Sequence, residues 1–141
     1  MRQFVLFAAS LFTFNLWAAQ VDITNATVRE PLPGKSLSAG YFSLHNKGAV
    51  PVALVSVSSN NFGAIELHTH QMVDGMMQMT QVDQMVVEPG QQVHLQPGGL
   101  HLMLFRPVQK ISLGQQVQLR LQWSDGSSQE VQASVTRIPK Q

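Results

Sequence analysis

The hydrophobic pattern of the chain changes character at Val21. From there onward, short runs of β-branched and other apolar residues alternate with polar ones, which is typical of strands that bury one face. Turn-forming residues separate the runs, and no segment shows the periodicity of an amphipathic helix. The pattern predicts nine strands, over residues 21–28, 38–45, 52–58, 64–72, 76–82, 91–95, 100–105, 115–123 and 129–135.

The turns between these strands are marked by residues that tolerate unusual backbone angles. Asp74-Gly75 and Asp125-Gly126 are two-residue sequences typical of tight hairpins. Nine strands joined by short turns, with no linker and no internal repeat, fit one Greek-key β-sandwich. Because 141 residues is a single-domain length, we expect one all-β domain over residues 20–141.

The N-terminal segment has the pattern of an export signal. Arg2 supplies a positive charge, residues 4–17 are almost wholly apolar, and Ala18-Ala19 offers small residues for cleavage. The apolar stretch is shorter than the roughly 20 residues that a membrane-spanning helix needs. We therefore predict a cleaved signal peptide over residues 1–19 and a mature chain that begins near Gln20.

Composition and charge argue against several classes of function. Hydrophobic residues make up 44% of the chain and charged residues 12%, which favours a packed domain over a disordered one. Nine Lys and Arg against eight Asp and Glu leave no basic surface for a nucleic acid. The absence of cysteine removes thiolate as a nucleophile or metal ligand. No nucleophile-elbow motif surrounds a serine and the carboxylates are scattered, so we predict that the protein is not an enzyme.

Soft and borderline metal ligands cluster in one part of the chain. Six of the seven methionines and four of the five histidines lie between residues 68 and 103. They are Met72, Met76, Met77, Met79, Met85, Met103, His68, His70, His94 and His101. Thioether sulfur is soft and uncharged, so this cluster favours Cu(I) over zinc and over hard ions.

Strand alternation predicts that several of these side chains share one face of a sheet. In the seventh predicted strand the leucines take one face, so His101 and Met103 must share the other. The same alternation places His68 and His70 on an outer face of the fourth predicted strand. An outer face normally carries small polar or charged residues, so imidazole and thioether groups there indicate a binding role.

The tight turn at Asp74-Gly75 predicts how the fourth and fifth strands pair. With a two-residue loop, counting back from the turn places His70 opposite Met79 and His68 on the diagonal from Met79. Opposite and diagonal neighbours lie within reach of long side chains. Either histidine can therefore share an ion with this methionine.

The spacing of four of these residues resembles the motif of a known family. His68 is followed after ten residues by Met79, after a further twenty-one by His101, and after one more by Met103. This is similar to the motif of the periplasmic copper(A) chaperones, or PCuAC proteins. The surrounding segments are similar too, over residues 39–46, 66–68, 74–79, 87–90 and 95–104. The resemblance implies a cupredoxin-like sandwich or barrel of eight to nine strands that binds Cu(I) through His68, Met79, His101 and Met103, and it selects His68 over His70.

The same resemblance implies a location and partners. We expect a monomeric periplasmic carrier that takes Cu(I) from a donor protein and delivers it to acceptors such as the cytochrome oxidase copper site or Sco-like assembly factors. Two alternatives stay open. One is a periplasmic protein that stores or buffers copper, and the other is an exported interaction module whose methionine surface docks a partner protein.

For the remaining candidate residues, packing, surface or turn roles are weighed against metal binding. His70 is a candidate auxiliary ligand. Two interpretations stay open for Met72, Met76 and Met77, which either pack at the rim of the site or bind copper more weakly. We expect Met85 to pack in the core. His45 and His94 are expected to be surface or hydrogen-bonded histidines. Glu66 is expected to be solvated, and Asp74 to form the turn.

Overall fold

The computed structural model describes residues 20–137, and all regular structure in this range is β-strand. The predicted signal peptide and residues 138–141 lie outside the described residues. The ten strands are β1 (Val21–Arg29), β2 (Leu37–Asn46), β3 (Val52–Ser58), β4 (Phe62–Val73), β5 (Met76–Gln81), β6 (Met85–Val87), β7 (Gln92–His94), β8 (His101–Pro107), β9 (Gln116–Trp123) and β10 (Ser128–Thr136).

Nine of these strands coincide with the predicted ones, and β6 is the additional strand. The prediction of nine was therefore one too few. Three residues are too short to establish an alternating pattern, and β6 is identifiable only because it pairs with β3 through Val52 opposite Val87 and Leu54 opposite Met85.

The strands form one continuous sheet in the order β5-β4-β8-β2-β1-β10-β9-β3-β6, and β7 pairs separately with β2. The described pairings are antiparallel except that between β1 and β10, which is parallel. The sheet curls so that β3 lies beside β4, and its two halves enclose one core. The expected all-β architecture is confirmed.

Alternation along each strand explains where the core lies. In β9, Val117, Leu119, Leu121 and Trp123 are buried, while the residues between them face outward. In β8, Leu102 and Leu104 are fully buried, as the alternation predicted. Residues from eight of the ten strands join the same cluster, so the sheet packs around a single hydrophobic interior.

The hairpin formed by β4 and β5 projects from one edge of the sheet. Asp74 and Gly75 have φ values of 50° and 77°, the left-handed pair that a two-residue hairpin turn requires. Val73 lies opposite Met76 and His70 opposite Met79, which confirms the predicted register and the role of Asp74 as a turn former. Among residues 20–137 there is no helix that could cross a membrane.

Candidate metal centre

The pairing of β4 with β8 brings together two parts of the chain that are distant in sequence. His68 lies directly opposite His101, and Glu66 lies directly opposite Met103. Leu67 and Leu102 lie between these pairs and point into the core, where both are buried. The imidazole and thioether groups therefore occupy the face of the sheet that is turned away from the core, as predicted.

The hairpin strand β5 extends this face by one more strand. Met79 lies opposite His70 and on the diagonal from His68, so the four predicted ligands and His70 share one face of three adjacent strands. The ring centroid of His101 lies 6.1 Å from that of His68 and 5.3 Å from that of His70. His70 therefore lies closer to His101 than does His68, the histidine that the family motif selects.

Exposure varies strongly across this face. His101 is only 4% exposed, although it points away from the hydrophobic core, whereas Met79 is 47% exposed. His68 and Met103 are intermediate. His101 lies on the predicted outer face but is buried there, because His68 and His70 pack beside it. Solvent exposure therefore increases across the site, from the buried imidazole of His101 to the exposed thioether of Met79.

The hydrogen bond of His101 determines which of its nitrogens can bind an ion. Its Nδ1 lies 2.8 Å from the carbonyl oxygen of Gly99. A carbonyl oxygen only accepts, so Nδ1 carries the proton and donates. The lone pair of the neutral ring is therefore on Nε2. A backbone carbonyl that holds a histidine in one tautomer is the usual support for a metal ligand.

His68 has the opposite arrangement. Its Nε2 lies 2.8 Å from Oε2 of Glu66, while its Nδ1 is buried and has no hydrogen-bond partner. With an ionised carboxylate as acceptor, Nε2 carries the proton and the lone pair lies on Nδ1. Buried polar atoms are nearly always satisfied, so an unpartnered nitrogen here fits an atom that binds a metal. Glu66 was expected to be a solvated side chain, and this contact corrects that prediction.

The chemistry of the donor set narrows the class of ion. Within residues 20–137, no group of three His, Cys, Asp or Glu side chains could hold a metal ion. The thioethers of Met79 and Met103 are further soft donors on the same face as the imidazoles. Neutral sulfur and nitrogen donors suit a soft monovalent ion such as Cu(I).

The structure also tests the core and surface roles predicted for the other methionines and histidines. Met85 is buried in the core, as expected. His94 is exposed and its Nδ1 lies 2.8 Å from Oγ of Ser43, which agrees with a surface, hydrogen-bonded role. Sequence reasoning missed the contact between Glu66 and His68, although their two-residue spacing on one strand was the available signal.

The fold is shared with solved PCuAC domains. A copper-bound PCuAC domain from PmoF2 matches with a TM-score of 0.73 and 21% identity, covering 86% of this chain and 96% of that domain. The solution structure of CuI-DR1885 from Deinococcus radiodurans matches with a TM-score of 0.63 and 26% identity, covering 86% of this chain and 80% of that protein. The fold is that of a cupredoxin-like domain of the PCuAC class.

Sequence comparison gives the family. The family profile named "Putative lipoprotein LpqE-like" matches residues 21–135. The "Putative lipoprotein Lxx21020" of Leifsonia xyli subsp. xyli is 27% identical over 128 residues, which is 90% of this chain and 76% of that relative. An uncharacterized protein from Rickettsia prowazekii is 32% identical over 101 residues, covering 71% of this chain and 56% of that relative. The chain belongs to the LpqE-like family, which is the PCuAC family.

Proposed function

We propose that the protein is a copper chaperone that holds one Cu(I) ion between His68, Met79, His101 and Met103 and passes it to an acceptor protein. The observation that carries the proposal is the pair of histidines on β4 and β8. Each has one nitrogen engaged by a neighbouring oxygen, His68 by Glu66 and His101 by Gly99. The other nitrogen of each neutral ring then keeps its lone pair for an ion.

The likeness to solved PCuAC domains supports copper as the cargo. One of the matching structures is described as copper-bound and another as carrying CuI. The present chain offers two imidazoles and two thioethers on one face. These neutral donors leave a monovalent ion with its own charge only, whereas a divalent ion would favour carboxylate or thiolate ligands.

The exposure of the four ligands supports delivery rather than permanent storage. His101 is buried and supported by a backbone carbonyl, while Met79 lies on the edge hairpin and is the most exposed of the four. An incoming acceptor ligand can therefore bind the ion as the bond to the Met79 sulfur breaks. The ion keeps its oxidation state, and no proton needs to move because thioethers are neutral.

The location and partners follow from the N-terminal pattern and the family. We infer that residues 1–19 are removed on export and that the mature domain works in the periplasm as a monomer. Its copper would come from a donor protein and go to an acceptor such as the cytochrome oxidase copper site or a Sco-like assembly factor. The ligand chemistry serves transfer of an ion and assigns no catalysed reaction to the domain.

The proposal is tested by anaerobic competition for Cu(I) against a chromogenic chelator. Met103→Leu and Met79→Leu remove one sulfur each while keeping a similar apolar volume, so the fold is retained. We expect each variant to bind Cu(I) about 10–100-fold more weakly. Met76→Leu, on the opposite face of the hairpin, is the matched control and should bind as the wild type does. Unchanged competition by the Met103 and Met79 variants would refute the assigned ligands.

X-ray absorption on the Cu(I)-loaded protein provides an independent test of the ligand set. Two sulfur and two nitrogen neighbours are expected for the wild type, and one sulfur fewer for Met103→Leu. A first shell made of nitrogen and oxygen alone would contradict the proposal.

A further inference from the structure

A second group of soft ligands lies on the same face as the candidate centre, closer to the tip of the β4–β5 hairpin. Met72 lies directly opposite Met77, and this pair follows the His70–Met79 pair toward the turn. Side chains two residues apart on a strand share a face, so the four side chains form two consecutive cross-strand pairs. Only Met79 among them belongs to the set proposed above.

Packing does not account for these methionines. Met72 is 62% exposed and Met77 is 61% exposed, and β5 is an edge strand that is exposed along its whole length. Exposed edge strands normally carry charged or polar side chains that prevent association and keep the edge hydrated. The solvent-exposed thioethers of Met72 and Met77 lie beside the imidazole of His70 and together provide three donor groups for a metal ion.

The geometry of the pairs allows these donors to meet at one ion. Opposite residues on antiparallel strands have Cβ atoms about 5 Å apart, and diagonal neighbours are about 7–8 Å apart. Methionine has three rotatable side-chain bonds, so sulfur atoms from Met72 and Met77 can converge beside the ring of His70. Among the described residues no group of three His, Cys, Asp or Glu side chains could hold an ion, and a donor set of one imidazole and two thioethers disfavours a hard or divalent ion.

From this arrangement we infer a second, more open site for a soft monovalent metal ion, formed by His70, Met72 and Met77, with Met79 at the boundary between the two sites. The inference rests on the proposed function and deepens it. The shared Met79 lets an ion pass outward along the hairpin. Its bonds to His68, His101 and Met103 break as bonds to His70, Met72 and Met77 form, and neither charge nor oxidation state changes.

Native mass spectrometry with Ag(I), a redox-inert soft monovalent ion, tests the inference on the purified full chain. We expect the wild type to bind two ions, the second about tenfold more weakly than the first because its ligands are solvent-exposed. The double variant Met72→Leu with Met77→Leu should bind one ion only. Met76 is 67% exposed on the same hairpin but lies opposite Val73, on the other face, so Met76→Leu is the matched control and should bind two.

The outcomes separate this inference from the proposed function. If the wild type binds one ion, and Met103→Leu weakens it, the second site is refuted while the proposed carrier site stands. If Met76→Leu removes the weak ion as effectively as the double variant, the ion is held by methionine content alone and the second site is likewise refuted. If no tight ion is bound and Met103→Leu has no effect, the proposed function itself fails. Loss of the weak ion only in the double variant, with the tight ion retained, supports the inference.

Discussion

His68 and His101 lie directly opposite each other on adjacent antiparallel strands, and their ring centroids are 6.1 Å apart. They are thirty-three positions apart in the chain, so only the pairing of β4 with β8 brings them together. Each ring has one nitrogen engaged by an oxygen atom, which directs its proton and leaves the second nitrogen as the donor to an ion. This pair organises the proposed site, and its supporting contacts can be tested separately.

The contact between Glu66 and His68 predicts an effect of a residue that does not bind the ion. Glu66→Gln removes the charge that accepts the Nε2 proton of His68, which makes the ring a weaker donor and orients it less firmly. We expect Cu(I) binding to weaken about tenfold in the chelator competition. Glu88→Gln removes the same charge from an exposed residue and should have no effect. Equal loss in both variants would mean that net charge, and not the orientation of His68, controls affinity.

The turn at the tip of the hairpin provides a test of how the edge strand positions Met79. Gly75 has a φ of 77°, and an alanine there would be strained by about 1 kcal/mol. We expect Gly75→Ala to raise hydrogen exchange of the β5 amides about fivefold. Gly34→Ala is the matched control, since Gly34 has a φ of 75° in a distant turn. The β5 amides of the two variants should therefore differ, and identical exchange would contradict the positioning role of the turn.

Methionine oxidation reports directly on which thioethers bind an ion. Mild peroxide should convert the exposed Met76, Met77 and Met79 to sulfoxides well before the buried Met85. Loading with one equivalent of Ag(I) should protect Met79 and Met103, because a bound metal ion withdraws electron density from the sulfur and shields it from the oxidant. Peptide mass spectrometry measures the protection of each residue. Met76 is expected to oxidise at the same rate with and without the ion, and protection of all the methionines alike would argue against a defined site.

Asn46 predicts a stability effect that is independent of the metal ligands. Its fully buried side chain donates to the carbonyl oxygens of Val50 and Val87 and accepts from the backbone N–H of Gly48. Asn46→Ala would leave these groups unpaired and should lower the free energy of unfolding by about 2–3 kcal/mol. Urea denaturation measures the change, with the exposed Asn60→Ala as a control that should stay within about 0.5 kcal/mol of the wild type. A destabilisation no larger than that of the control would show that these hydrogen bonds contribute little.

Much of the architecture could be predicted because its causes are local. Alternation placed Leu102 and Leu104 in the core and His101 and Met103 on the other face, and the structure agrees. The Asp74-Gly75 turn was sufficient to derive the register of the hairpin that follows it. Strand β6 could not be predicted, because three residues carry no period and their pairing partner is remote.

The sequence by itself determined the all-β class, the faces of the strands and the cluster of soft ligands, because period and turn chemistry act over a few residues. The family motif selected His68 over His70. Tertiary structure alone decided that β8 pairs with β4, that His101 is buried beside both histidines, and that Glu66 engages His68. Burial and hydrogen bonding of a side chain depend on strands distant along the chain, and no local pattern encodes which of them will become neighbours.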